Sequence, residues 1–375
     1  MLLSYKYQLQ PTHSQMKSLE FICEEQRVLY NAALQERIDC YSKTNKPITY
    51  YNQCKSLKDI EQNIPVNLQR WTLSKLDISF KAFFKRLKSK IKAGFPRYRA
   101  KSRWKSFGFA EFSGIRLKEN KLYFKGLVNG LKIHLHRPIG LGDITGCVFT
   151  KTDFGWYVSI QVKSVSPPKK EIKTMIGIDM GLIHLATLSN GVHIPNIRTT
   201  KRYERKLRIR QRQISRCHKG SNRRKKIKLS IARIHRKITN TRDTYLHQIT
   251  NDLVNRYDLI AVEQLNIKGM IQSNLAKSIS DAAWNKFIQY LDYKAERAGS
   301  QVRKANAWRS SQECSGCGTF IKKGLSVRIH ICYSCGLVMD RDENAAINIL
   351  NRAVVSPELA NVINYDMRLT GDFVQ

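Results

Sequence analysis

Residues 314–318 read CSGCG and residues 332–350 read CYSCGLVMDRDENAAINIL, with a basic loop between them. Two Cys-x-x-Cys pairs, Cys314/Cys317 and Cys332/Cys335, thus flank the fourteen residues Gly318 to Ile331. Four soft thiolates at this spacing can close a tetrahedral shell around one Zn²⁺. Each pair is followed by a glycine, Gly318 or Gly336, which suits the tight turn of a zinc knuckle. All four ligand positions are filled and none is left for water, so zinc here is structural. The helix start that follows is rich in acids, and hard carboxylate oxygens suit a cation such as Mg²⁺. Asp340 reads as the N-cap of that helix with Glu343 at N3. Asp342 is then free to point into a neighbouring sheet. Asn344 is placed to support the acid's orientation, while Ala345, Ala346, Ile347 and Leu350 pack.

Two more acids upstream stand on apolar strands. Thr174 to Asp179 (TMIGID) reads as a buried strand ending in Asp179. Leu185–Leu188 and Val192–Ile194, joined through Asn190-Gly191, make it a three-stranded meander. Leu259 to Leu265 (LIAVEQL) is a second apolar strand, with Glu263 near its end. A carboxylate on such a strand is costly unless something neutralises it. Each acid could also sit in solvent at its strand end; shared divalent metal is the other way to offset the cost. Two ions about 4 Å apart can activate water and stabilise the leaving oxygen in phosphodiester cleavage. The element order (meander, helix, strand, helix, strand, helix) matches a ribonuclease H-like layout. In that layout the first and fourth strands are neighbours, so Asp179 and Glu263 face one another.

Further outward, residues 198–242 are dominated by Lys and Arg, and Ile and Leu recur there at helical spacing. The run from His218 to Asn222 breaks the segment into a helical hairpin, whose charge density suits a nucleic-acid backbone better than a merely solvated face. Leu246 to Val254 marks another helix, and Trp284 to Ala295 one more, closed by Gly299. Gln301 to Ala305 continues as a strand into the cysteine knuckle. In the N-terminal half, Leu3–Leu9 alternates as a strand, and Thr12 caps a helix reaching about Arg37. Helices follow from near Tyr50 and near Pro65, the latter interleaving Lys and Arg with Trp71 and three phenylalanines. Strand-like runs recur from Ser106 to Val162 and with the first strand can close a small barrel, the helices being an insertion into it. Pro167-Pro168-Lys169-Lys170 reads as a linker.

The balance of 66 Lys+Arg against 29 Asp+Glu gives a net charge of +37. Such a chain repels itself unless it binds a polyanion, and nucleic acid is the default partner. No apolar run is long enough to span a membrane, and the start MLLSYKYQLQ does not read as a signal peptide. The remaining cysteines, at 23, 40, 54, 147 and 217, lack motif spacing and fit a reducing cytosol rather than a disulfide framework.

Taken together, IGIDMGL (176–182), VEQLNIKGM (262–270), SSQECSGCG (310–318), CYSCG (332–336) and DRDENAAINIL (340–350) resemble the motifs of TnpB, a family of transposon-associated RNA-guided endonucleases related to compact type V CRISPR effectors. YKYQLQPTHSQ (5–15) and FPRYRAKSRWKSF (95–107) are similar to it as well, so the resemblance runs from about residue 3 to 352. It implies an α+β multi-domain chain. Residues 1–10 and 104–166 would form a β-barrel wedge domain, and 11–103 an inserted helical recognition lobe. Residues 171–304 and 339–352 would form a RuvC-like nuclease that includes the 198–242 hairpin. Residues 305–338 would be a zinc-ribbon insertion that binds target nucleic acid, and 353–375 a loosely ordered tail. By the same resemblance Asp179, Glu263 and Asp342 are catalytic acids holding Mg²⁺, as two ions, and Cys314, Cys317, Cys332 and Cys335 hold Zn²⁺. Gln264 departs from the family, which usually has Asp there, but that position is not a metal ligand. The implied partners are a guide RNA from the transposon end and double-stranded target DNA, bound by a monomer in a prokaryotic cytoplasm at the nucleoid. Sequence would be read by RNA–DNA pairing, and the protein would read a short flanking motif. Some relatives have lost the acids and act as RNA-guided repressors or transposition regulators, which is the alternative to cleavage; this chain keeps all three. A transposase proper fits less well, since the family's transposition chemistry belongs to a separate protein.

Overall fold

A computed structural model of the chain describes residues 1–57, 63–90, 92–270, 272, 274–306, 308–324 and 326–354. Of the loose tail expected over 353–375, Ala353 ends the last helix and Val354 caps it, both buried, and the rest, from residue 355 onward, lies outside the described residues. The chain divides into two compact units, Met1–Val165 and Ser166–Gln375. No helix among the described residues is long and apolar enough to cross a membrane.

In the first unit, β1 (Leu2–Leu9) shows the alternation its sequence carries, with Tyr5, Tyr7 and Leu9 buried. Thr12 caps α1 (His13–Thr44): its side chain accepts from the Gln15 amide, and the Gln15 side chain accepts from the Thr12 amide. The helix outruns the expected end near Arg37 because neither Gly nor Pro interrupts it; Asn45 ends it in the left-handed region at φ 55°. After α2 (Tyr50–Ser56) and α3 (Val66–Lys88) come β2 (Ser106–Phe109), β3 (Ile115–Lys118), β4 (Lys121–Phe124), β5 (Leu131–His134), β6 (Asp143–Thr152) and β7 (Gly155–Lys163). They form one antiparallel sheet with β1, in the order β2-β6-β7-β1-β5-β4-β3. The sheet rolls over its own core, so Phe107 and Phe109 of β2 lie 6.4 and 5.4 Å from Phe124 of β4. Among the described residues no ladder joins β2 to β3, so the expected closed barrel is an open roll. Both edge strands are only four residues long. The helices supply what a closing ladder would otherwise cover: Leu19, Ile22 and Cys23 of α1 and Leu68 of α3 enter the same core. The far end of α1 packs separately on α3 through Tyr30, Leu34, Leu73 and Leu76.

In the second unit, β8 (Met175–Met180), β9 (His184–Leu188) and β10 (His193–Pro195) form the meander. Two helices, α4 (Thr199–Ser215) and α5 (Asn222–Arg256), follow. The two helical stretches expected on either side of residue 243 are one helix, α5. Nothing between Asn222 and Arg256 breaks it, and only its burial changes, from a mostly exposed basic half that buries Ile227 and Ile238 to a half carrying buried Leu246, Leu253 and Val254. Then come β11 (Leu259–Glu263), α6 (Ile267–Met270), α7 (Ala276–Ala282), α8 (Trp284–Ala298), β12 (Gln301–Ala305), β13 (Ile329–Ile331), β14 (Val338–Asp340) and α9 (Arg341–Ala353). The main sheet has the order β10-β9-β8-β11-β12, with β8, β11 and β12 parallel. The first and fourth strands of the unit, β8 and β11, are therefore neighbours, as the layout read from the sequence requires.

Period-two alternation sorts this sheet's residues onto two faces. Ile176, Ile178, Ile260 and Val262 bury against Leu246, Leu253, Phe287 and Leu291 of α5 and α8. Met175, Leu259 and Ala261 bury against Ile349, Leu350 and Ala353 of α9. Gly177, Asp179 and Glu263 fall by the same alternation on the α9 face.

Candidate active site

Asp179 and Glu263 are brought together by ladder register. Val262 pairs with Ile178, so the next residues along the two parallel strands are Glu263 and Asp179. The register is clamped at the other end by Asp258, whose carboxylate accepts from the Lys173 and Thr174 amides and the Thr174 hydroxyl at 3.1–3.2 Å. Sequence reading gave Asp258 no role, although an acid immediately before a buried strand is a recurrent anchor for backbone amides.

Asp342 arrives by close packing of α9 on β8. A Cβ on Gly177 would stand 2.1 Å from the Ala346 carbonyl oxygen, so only glycine lets the helix lie this near. Asp342 is one turn before Ala346, and Asp179 is two residues beyond Gly177. Helix and strand run in opposite senses here, which brings the two carboxylates to the same end. Their electrostatics record the result. The carboxyl of Asp179 is held well above the usual carboxylate range, first by burial and then by the charges of Glu263 and Asp342, with Arg341 opposing. Burial pushes Glu263 up to about 7, against a hydrogen bond from the Met180 backbone.

Asp342, whose charge is felt by Asp179 on β8, is also engaged by two guanidinium groups. Its Oδ1 accepts from Nε and Nη2 of Arg341 at 3.1 and 2.9 Å, and Nη1 of Arg328 stands 3.5 Å from Oδ2. Asp340 is the cap, accepting from the amides of Asp342 and Glu343 at 2.8 and 3.0 Å. Asn344 serves the knuckle and not the acid. Its Oδ1 accepts from the Ser315 amide at 2.9 Å and its Nδ2 donates to the Glu313 carbonyl at 2.7 Å. One turn on, Nδ2 of Asn348 donates to the Ser310 and Glu313 carbonyls at 2.8 and 2.7 Å.

The four cysteines converge, with their Sγ atoms all within 4.8 Å of one another. Cys314 and Cys335 are 3.7 Å apart, and Cys317 and Cys332 are 3.5 Å apart. Tetrahedral zinc with bonds of 2.3 Å sets its sulfurs about 3.8 Å apart, so the cluster fits a structural zinc. Both turns are built alike: the Gly318 amide donates to the Cys314 carbonyl and the Gly336 amide to the Cys332 carbonyl, each at 2.8 Å. Both glycines have φ near +78°. The second pair sits on the hairpin of β13 and β14, whose ladder ends at Asp340, the cap of α9.

Two family models match most of this unit, the first of them beginning within β7. One described as "Probable transposase" matches residues 158–274, and one described as "Cas12f1-like, TNB domain" matches 284–349. A third, "Helix-turn-helix domain", matches residues 1–46, where the chain folds as β1 and the single helix α1. A Streptomyces pristinaespiralis protein named "Putative RNA-guided DNA endonuclease" is 32% identical, over 92% of this chain and 88% of its own length. An Escherichia coli protein of the same name with the suffix InsQ is 28% identical, over 93% and 92%. The fold is similar to that of the protein in a Cas12f1-sgRNA-target DNA complex, with TM-score 0.59, 15% identity, and 92% and 83% of the two chains covered. The fold is thus a mixed α/β one with a half-barrel sheet. The chain belongs to the TnpB-like family of RNA-guided DNA endonucleases.

Proposed function

We propose that the chain is an RNA-guided, divalent-metal-dependent DNA endonuclease of a transposable element, cutting beside a short flanking motif at a RuvC-like centre. The observation that carries the reading is the convergence of three acids: Asp179 and Glu263 side by side on parallel strands, and Asp342 on the helix packed over them. Two carboxylates raised by burial, one of them also by its neighbours' charge, are a donor set in want of a cation. Asp179, Glu263 and Asp342 would hold Mg²⁺. When bound, the metal would supply an activated water and charge stabilisation for phosphodiester hydrolysis. The chain's own part is to fix three oxygen donors on rigid elements and to hold Arg341 and Arg328 beside them, where guanidinium groups suit a phosphate. Zinc on Cys314, Cys317, Cys332 and Cys335 would fix the knuckle.

The relatives' names support a guide RNA and a DNA target, and the net charge of +37 suits so large a polyanion load. In this reading 1–10 and 104–166 are the wedge domain and 11–103 the recognition lobe. Residues 171–304 and 339–352 are the ribonuclease H-like nuclease, with the zinc ribbon of 305–338 inserted.

The test is cleavage of matched DNA, carrying a library of flanking motifs, by the protein purified with its co-expressed RNA. Cutting in Mg²⁺ that Asp179→Ala abolishes is the expected result. The engagement of Asp342 by two arginines favours a second reading, a nuclease-silent RNA-guided repressor or transposition regulator. Guide-dependent binding with no cleavage in Mg²⁺ or Mn²⁺ selects that one.

A further inference from the structure

On either side of the first cysteine pair stands a group of side chains that the zinc site and the acids do not use. Trp308 is 66% exposed and Phe320 is 47% exposed. The guanidinium of Arg309 lies over both rings, 4.0 Å from the Trp308 centroid and 4.5 Å from that of Phe320. Solvent exposure of a tryptophan costs free energy that a buried position would recover, and a cation stacked on it keeps the ring in place without covering the rest of it.

The frame around this group is held by backbone hydrogen bonds and an arginine tie. Arg309 sits at φ 59°, a conformation unusual for a side-chain-bearing residue, and its carbonyl accepts from the amides of Gln312 and Glu313 at 2.9 and 3.1 Å. Phe320 is fixed by a β-bridge to Glu313 across the first cysteine loop. Arg352, at the far end of α9, donates to the carbonyls of Asn306 and Trp308 at 2.7 and 2.9 Å. Ten residues separate Arg352 from Asp342, about 15 Å along the helix. The stack is therefore tied to the same rod that carries an acid of the nuclease centre, at a distance from it. Between Cys314 and Gly336 the sequence has no Asp or Glu, and Lys322 and Arg328 are exposed.

We infer that Trp308, Arg309 and Phe320 form a stacking platform for an unpaired base of single-stranded DNA, engaging a nucleotide near the scissile bond but not at it. An exposed aromatic face accepts any base, and the arginine and the acid-free loop supply the charge that a phosphodiester strand requires. The inference rests on the nuclease reading only for which strand is bound; stacking itself is independent of cleavage.

The experiment is photocrosslinking of full-length protein, purified with its RNA, to single-stranded DNA carrying one 5-iodouracil, with mass-spectrometric mapping of the adducts. Adducts at Trp308 or Phe320 are expected, and the same adducts from the Asp179→Asn protein, whether or not the parent cuts. Crosslinks confined to other peptides overturn the platform, and the unaltered chain leaves no question of misfolding. In a second arm, Trp308→Ala lowers affinity for the single strand at about 0.3 M salt roughly 5- to 150-fold, the range for one lost stacked base, and Trp308→Phe restores most of it. Equal affinity for all three proteins refutes stacking and leaves the aromatic group as a surface for a protein.

Discussion

Glu263 shows what a buried carboxylate costs its own fold. Its carboxyl is raised from 4.5 to about 7, so between those values the folded metal-free protein holds a proton that the unfolded chain has released. Below pH 4.5 both states carry the proton and nothing is lost. As pH rises through 7 the folded form must ionise, and about 3 kcal/mol of stability disappears. Asp179 acts with the same sign. Glu263→Gln is therefore expected to stabilise the metal-free protein at pH 8 by up to about 3 kcal/mol, to do nothing at pH 4.5, and to abolish cleavage. Thermal unfolding in chelator at the two pH values checks it, and equal shifts at both would show that the carboxyl titrates normally. Asp179 and Glu263 were legible in the sequence because a charge on an apolar strand is anomalous by itself. The roles of Asn344 and Asn348 were not, because their partners are backbone groups of a loop about thirty residues away, which no periodicity reveals. Asn344→Ala leaves the Ser315 amide without its acceptor, a loss of about 1–3 kcal/mol. Chemical denaturation should record that loss, together with faster release of zinc to a chelator than from the parent protein.

At the level of elements, the contact that assembles the centre is α9 on β8. Gly177 is what permits it, since the helix backbone occupies the space where any other residue's Cβ would stand. Gly177→Ala must push α9 outward or bend β8, and either movement displaces Asp342 from Asp179. Overpacking of this kind costs about 1–3 kcal/mol, occasionally more, yet the catalytic loss should exceed what the stability loss explains. Cleavage measured well below the variant's melting temperature separates the two effects; a variant that melts lower but cuts at the parent rate would show that α9 adjusts without moving the acid. The order of strands and the convergence of the cysteines follow from motif spacing, which is why both are recoverable from the sequence. The open edge of the seven-stranded sheet is not recoverable in the same way. Alternation says that a strand has a buried face but not whether its last hydrogen bonds are made, and here helix side chains fill the core beside that edge. The continuity of α5 escaped for a related reason: its buried face changes partway along while its backbone does not.

For the whole molecule the dominant quantity is charge. With +37 distributed over 375 residues, association with RNA should be governed by counterion release, and its dependence on salt counts the phosphates engaged. The helices α4 and α5 present much of that charge. Arg223, Lys225, Lys226 and Lys228 are exposed on the first turns of α5, and among them only Ile227 is buried. Their conversion together to alanine leaves that core contact intact and removes four cations from one face. If each neutralises one phosphate of single-stranded RNA, the slope of log affinity against log salt should fall by about 3, from the release of roughly 0.7 counterion per contact. Affinity at low salt should fall with it, while at high salt the parent and the variant converge. Titrations of the co-purified RNA at several salt concentrations measure the slope directly. An unchanged slope would mean that these residues face solvent in the complex, and that the excess charge meets its RNA on another surface.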